Sequence, residues 1–296
     1  MPSLFVLGSL NIDRVYRLPH ALREGETLTA LDYRVGAGGK GANQSLAAAR
    51  AGARVRHIGC IGQDGRWLAE NLRRDGVETV HLAEVDAPTG HAAVLVAPDG
   101  GNSIVVDPGA NRRVTSGMVR DALAQAGPGD WLLLQNETSA VAEAIGLAKA
   151  AGLRIAFNFA PFDPEAVGGL PFGQVDYLVL NELEAEGLCG QKDADAALAA
   201  LTKRCPRTTV ILTRGAEGAY AARAGGERLH APSPRVEAVD TTAAGDTFTG
   251  YLLAAKLERM GLPAALERAC KAAALCVSRS GAADSVPWAR EVDAFA

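Results

Sequence analysis

Short runs rich in Val, Ile and Leu alternate with longer Ala/Leu/Glu/Arg segments along most of this chain, and few architectures tolerate that rhythm. LFVLGSL (4–10), VRHIGCIG (55–62), DWLLLQ (130–135), LRIAFNF (153–159), DYLVLN (176–181) and TTVILT (208–213) carry the pattern of strands buried on both faces. Helical period fills 41–51, 65–75, 115–126, 139–151, 182–188 and 193–204 between them. Strand, helix, strand in that order means crossover units. The expectation is therefore an α/β fold, a mostly parallel sheet with helices on both faces. No Pro/Ser-rich linker or block of charge interrupts the chain, which predicts one main domain over 1–296.

Two segments break the rhythm. Residues 13–35 and 89–107 alternate polar and apolar, the pattern of strand pairs exposed on one face, and APDGGN (97–102) is a hairpin signal. They predict a small projecting sheet, a candidate lid. Another strand pair is expected at 218–223 and 227–230, and helices at 245–260 and 264–278.

Composition excludes several classes of function. A net charge of -4 leaves no basic stripe for nucleic acid. The five cysteines are odd in number, scattered and never paired as C-x-x-C, which argues against a disulfide framework or a zinc site and for a reducing cytoplasm. No stretch approaches a membrane span, and MPSLFVLGSLNID lacks the basic start of a signal peptide. The five histidines form no H-E-x-x-H or triad pattern.

Gly36, Gly38 and Gly41 spell G-x-G-x-x-G, the dinucleotide fingerprint, with Asp64 roughly where its acid belongs. The preceding stretch LTALDYRV is polar and alternating, however, unlike the core strand that motif needs. A phosphate-loop reading fails because Gly39-Lys40 is followed by Gly41 and not by Ser or Thr. Two readings remain open: glycines that let backbone approach a small polar ligand, with Asn43 beside it, or a plain strand-to-helix turn. Asn11 and Asp13 follow the first strand and, two apart, project the same way. One donates and accepts while the other only accepts, which suits neighbouring hydroxyls; a pair of turn-forming residues is the bland alternative.

VEAVDTTAAGDTFTGYLLAA (236–255) carries the most chemistry. An extended run enters Ala243-Ala244-Gly245 and then a helix, so Gly245 could allow an unusual backbone turn whose amides converge on an anion. A carboxylate beside such a site costs Coulomb energy unless it has a task, and accepting the proton of an attacking hydroxyl is one. Asp246 as a simple helix cap is the competing reading.

DTTAAGDTFTGYLLA (240–254) and GAGGKGANQSLAAARAGA (36–53) resemble the C- and N-terminal signatures of the ribokinase-like (pfkB) carbohydrate kinases. So do GSLNID, PGANRRV, LLLQNET, LNELEAE, LTRGAEGAY and the tail SGAADSVPWAREVDAF, together nearly the whole chain. The resemblance implies a three-layer α/β/α sandwich with a lid, a homodimer joined through that lid, and ATP-dependent phosphorylation of a pentose, D-ribose foremost. It implies that Asn11, Asp13, Gly39, Lys40, Asn43 and Glu137 hold the sugar, that Asp246 is the base, and that Ala243, Ala244 and Gly245 form the anion hole. Asn181, Thr213, Arg214, Gly215, Gly218, Gly245 and Cys270 match the nucleotide site, with Glu184 bearing indirectly on Mg²⁺. Asp240, Thr242, Cys276, Arg279, Gly281 and Ser285 match a K⁺ site. Cys270 departs from the Asn or His that relatives carry near the adenine. Kinases of the same family acting on deoxyribose, a hexose or a nucleoside, and a non-catalytic sugar-binding protein, are the alternatives.

Overall fold

The computed structural model describes residues 2–99, 101–165 and 170–295. Its centre is β1 (Ser3–Leu7), in which every residue is buried. Consecutive side chains of a strand point to opposite faces. Leu4 and Val6 accordingly enter one apolar core, and Phe5 and Leu7 the other. One face packs beneath α1 (Lys40–Arg50), α2 (Arg66–Arg74), α7 (Ala244–Leu257), α8 (Leu262–Val277) and α9 (Ala289–Ala294). The other packs beneath α3 (Ser116–Leu123), α4 (Val141–Ala150), α5 (Glu182–Cys189) and α6 (Ala194–Arg204).

Beside β1 lie β4 (Arg54–Ile61) and then β5 (Glu78–Glu84) in one direction. In the other lie β8 (Trp131–Leu134), β9 (Arg154–Asn158), β10 (Tyr177–Asn181) and β11 (Thr209–Thr213), all parallel. β12 (Ala219–Ala222) and β13 (Leu229–Ala231) close that side antiparallel. Strand order thus runs outward from β1 both ways, and the β1/β8 boundary is where it reverses. Open α/β sheets bind ligands just beyond the carboxyl ends of the strands at such a switch point. The predicted fold class holds. The sequence pattern missed β5, because ETVHLAE sits at the sheet edge and lacks a buried apolar run.

The second sheet has the order β3-β2-β6-β7, from β2 (Asn11–Arg17), β3 (Asp32–Gly38), β6 (Gly90–Val96) and β7 (Asn102–Asp107). The turn expected at 97–102 includes Gly100, which lies outside the described residues. β3 runs through Gly39 straight into α1, so the small sheet is welded to the helix that borders the switch point. α1 in turn lies against α7 at Gly250: a Cβ there would stand 2.5 Å from the Ala47 Cβ and 2.7 Å from the Ala48 nitrogen. Only glycine permits this approach, and it brings the first turn of α1 to the first turn of α7.

Candidate active site

Four chain segments meet at the switch point. The turn after β1 supplies Gly8 and Ser9, β2 supplies Asn11 and Asp13, the start of α1 supplies Lys40, Asn43 and Gln44, and the turn after β8 supplies Gln135 and Glu137. Ser9 Oγ donates to the Glu137 carboxylate, which also accepts from the Lys40 backbone N–H at 3.0 Å. Gly39 has φ 93°, a conformation L side chains rarely adopt, and a Cβ on it would press on the Asn11 nitrogen at 2.9 Å. Gly41 lies directly against Gly8, and a Cβ on Gly38 would overlap the Asp13 carboxylate. Close backbone approach is therefore the reason for Gly38, Gly39 and Gly41, whereas nothing among the described residues stands within 4 Å of the Cβ position at Gly36. The dinucleotide reading fails: Gly36 and Gly38 belong to β3, and Asp64 is occupied by the Thr89 N–H at 3.0 Å and hydroxyl at 2.7 Å.

Burial, and after it the charge of Glu137, pushes the Asp13 carboxyl up to about 6. Lys40 answers this cluster of acids. Burial alone would lower its ammonium, but Asp246, Glu137 and Glu184 outweigh burial and hold it above its ordinary value.

Asp246 is buried in the first turn of α7, and its side chain caps nothing. One carboxylate oxygen accepts from Asn43 Nδ2 at 3.0 Å and the other from Gln44 Nε2 at 2.8 Å. Gln44 is itself held at both ends, donating to Asn158 Oδ1 at 2.8 Å and accepting from Gln135 Nε2 at 2.7 Å. Each carboxylate oxygen retains lone-pair capacity for a proton.

The backbone turn into α7 differs from the expectation. Ala243, not Gly245, takes the left-handed conformation, with φ 61°. A non-glycine residue there costs roughly 1–2 kcal/mol, a cost that commonly marks a functional turn. Gly245 is instead part of the helix, and nothing among the described residues lies within 4 Å of its Cβ position. Its role is to leave open space before the first-turn amides, which a helix leaves without intrahelical acceptors.

A cleft of about 200 Å³ opens there, lined by Lys40, Asn158, Asn181, Glu184, Thr213, Thr241, Ala243, Ala244, Gly245 and Asp246 among others. Asn181 and Glu184 form a reciprocal capping box on α5: the Glu184 N–H donates to Asn181 Oδ1 and the Asn181 N–H to Glu184 Oε2, both at 2.8 Å. Burial raises the Glu184 carboxyl. Arg214, Gly215 and Gly218 continue from Thr213 into the turn between β11 and β12, with Arg214 Nε donating to Glu182 at 3.0 Å. Cys270 is set apart. Its thiol is buried against the Ala231 carbonyl at 3.5 Å, burial pushes it up to about 12, and it does not line the cleft.

Behind α7, the Asp240 carboxylate accepts from the Thr242 N–H at 2.9 Å and the Gly281 N–H at 3.0 Å. Burial works against its charge, but these hydrogen bonds prevail and hold the carboxyl below its usual value. Cys276 Sγ lies 3.7 Å from the Thr242 carbonyl and 3.1 Å from Ser285 Oγ, and the Arg279 N–H donates to the Cys276 carbonyl at 3.1 Å. The two segments are thus side by side. Arg50 carried no assigned role in the 36–53 signature, yet its guanidinium ties α1 to this loop through the carbonyls of Ala283 (3.0 Å) and Val286 (2.7 Å).

Known proteins give the geometry its context. The model of the pfkB family carbohydrate kinases matches residues 1–289. Ribokinase of Haemophilus influenzae is 38% identical, covering 99% of this chain and 98% of its own. Ribokinase of Bacillus subtilis is 34% identical over 99% of each. Among solved structures, Arabidopsis thaliana ribokinase complexed with ribose and ATP superposes with a TM-score of 0.86 at 30% identity, covering 99% of this chain and 98% of that one.

Proposed function

The chain belongs to the pfkB family of carbohydrate kinases, and from that premise we propose that it transfers the γ-phosphoryl of ATP to the 5-hydroxyl of D-ribose. The observation that carries the reading is the placement of Asp246. Its carboxylate is buried, held by two amide donors, and set beside an open helix N-terminus.

Asn11, Asp13, Gly39, Lys40, Asn43 and Glu137 hold the sugar between the small sheet and α1. Asp246 accepts the proton of the attacking hydroxyl. The amides of residues 243–246 take up charge on the transferring group, with that of Ala244 shared with the Thr241 carbonyl at 3.3 Å, and Lys40 lines the same cleft. Catalysis is then mostly positioning and electrostatics. Asn181, Thr213 and the Arg214–Gly218 turn hold the nucleotide.

Mg²⁺ fits the donors present. It is held chiefly by substrate phosphates and keeps several waters, and Glu184 at the cleft wall, its carboxylate oxygens accepting from the Asn181 N–H and Nδ2, would bear on it indirectly through such a water. Bound with ATP, the ion neutralises charge on the phosphates. Movement of the small sheet toward the cleft would exclude water, which otherwise competes as acceptor. That sheet exposes Tyr33 and Val35 on one edge strand and Ile104, Val105 and Val106 on the other. A second copy of this chain, joined lid to lid, covers both edges. We place the protein in the cytoplasm. Its cysteines are free, and among the described residues no helix is long and apolar enough to cross a membrane.

A large monovalent cation suits the space between 240–242 and 276–285, where the Thr242 carbonyl and Ser285 Oγ flank Cys276 Sγ and the Asp240 carboxylate reaches the Gly281 N–H. Bound there, K⁺ would hold the left-handed Ala243 turn and the amides after it. Oxyanion-type stabilisation depends on placement, so activity in Tris-buffered chloride salts is expected to rise several-fold with K⁺ and far less with Na⁺. Equal rates in K⁺, Na⁺ and no added monovalent ion would remove the site.

The substrate assignment is tested with a panel of D-ribose, deoxyribose, hexoses and a nucleoside, scored for ATP-dependent phosphorylation. D-ribose is expected to give the highest kcat/KM. A hexose or nucleoside turned over better would reassign the substrate within the family, and no turnover with any of them would leave a binding protein.

A further inference from the structure

Asn111, in the turn Gly109–Arg113 after β7, is 1% exposed and joins no catalytic group. Its amide makes three hydrogen bonds, and two of them fix its orientation. The Leu10 backbone N–H can only donate, and it donates to Asn111 Oδ1 at 3.0 Å. The Leu10 carbonyl can only accept, and it accepts from Asn111 Nδ2 at 3.2 Å. Asn111 therefore cannot be turned over. Its remaining Nδ2 hydrogen goes to Asn11 Oδ1 at 2.8 Å, and that bond fixes the Asn11 amide in turn.

With Oδ1 turned toward Asn111, the Asn11 amide presents Nδ2 as its other end, and Nδ2 has no acceptor among the described residues. Asn11 is thereby a donor, whereas its neighbour on the same strand face, Asp13, when ionised only accepts. Gly90 makes room for this pairing. It stands opposite Asn11 in the β2/β6 ladder, and a Cβ on it would overlap Asn111 Nδ2. Resting on the reading of Asn11 and Asp13 as sugar contacts, we propose that Asn111 is a positioning residue that sets the hydrogen-bonding sense of the sugar site. It presents Asn11 as a donor beside the acceptor Asp13, so that one hydroxyl of a neighbouring pair accepts and the other donates.

N111D keeps the acceptor for the Leu10 N–H and removes the donor to both Asn11 and the Leu10 carbonyl. The Asn11 amide then turns over to donate to the new carboxylate and offers Oδ1 to the sugar. Ribose affinity is expected to fall ~10-fold, the scale of one mispaired buried group. The KM for ribose should rise accordingly, while kcat at saturating ribose and the KM for ATP stay within about two-fold. The decisive measurement is a double-mutant cycle on ribose binding by calorimetry with N11A. If Asn111 acts through Asn11, N111D has no further effect in the N11A background. Equal losses from N111D in both backgrounds, or no loss from N111D alone, would overturn the proposal. No loss from N11A would instead remove Asn11 from the sugar site, and the proposal with it. Should N111D not fold, N111S, whose shorter side chain withdraws from Asn11 without introducing a charge, is read in the same cycle.

Discussion

Asp246→Asn is expected to lower kcat by about two to four orders of magnitude, the usual scale for losing a general base, while nucleotide binding stays close to wild type. The fold should survive with a modest loss. Each carboxylate oxygen of Asp246 accepts an amide N–H, from Asn43 and from Gln44. An amide at 246 offers only one acceptor, so one buried donor is left unpaired at a cost of about 1–3 kcal/mol. Steady-state kinetics with ribose and ATP, set beside a thermal melt, separates the two effects. Turnover within a few-fold of wild type would reduce Asp246 to a structural residue and take the mechanism with it.

Asp13→Asn is expected to move function and stability in opposite directions. Burial and the neighbouring Glu137 raise the Asp13 carboxyl to about 6, from 3.8. A carboxylate with a raised folded-state value binds its proton more tightly folded than unfolded, so folding stability declines as pH climbs from about 4 to about 6 and stays reduced above that. At pH 7.5 the variant should therefore be more stable than wild type by about 1–3 kcal/mol, because each tenfold change in proton affinity is worth about 1.4 kcal/mol. That advantage should vanish toward pH 4. Ribose should meanwhile bind roughly 5–150-fold more weakly, since a buried hydroxyl loses its charged acceptor. Melting temperatures at both pH values and calorimetry with ribose and with ATP test the pair. Unchanged ribose affinity, or a variant less stable at pH 7.5, contradicts the account.

How far the sequence could be read depended on what each feature needs to be visible. β1, β8 and β11 were legible because strands buried on both faces must be apolar throughout, and VILT or WLLL has little other use. β5 was not, because an edge strand can be half polar and ETVHLAE advertises nothing. Asp246 was legible as chemistry because a carboxylate beside an anion-binding turn costs Coulomb energy unless it has a task. Its two partners were only half visible. Asn43, Gln44 and Gln135 all stood in quoted motifs, but only the folded sheet brings the last two together with Asn158 around the carboxylate. Ala243 was misjudged for a local reason. Sequence assigns a left-handed turn to glycine, yet packing placed it on alanine and kept Gly245 for empty space. Cys270 aligned with a nucleotide contact, but its thiol found the Ala231 carbonyl in the interior.

The most direct measurement follows the phosphorus. The protein is incubated with ATP, Mg²⁺, K⁺ and D-ribose, and the sugar product is identified by phosphorus and carbon NMR alongside ADP release. The account predicts ribose phosphorylated at the 5-oxygen, one equivalent per ADP formed, and no such product from Asp246→Asn on the same time scale. Phosphate on another oxygen, or ADP release that yields only inorganic phosphate and does not depend on ribose, would contradict it.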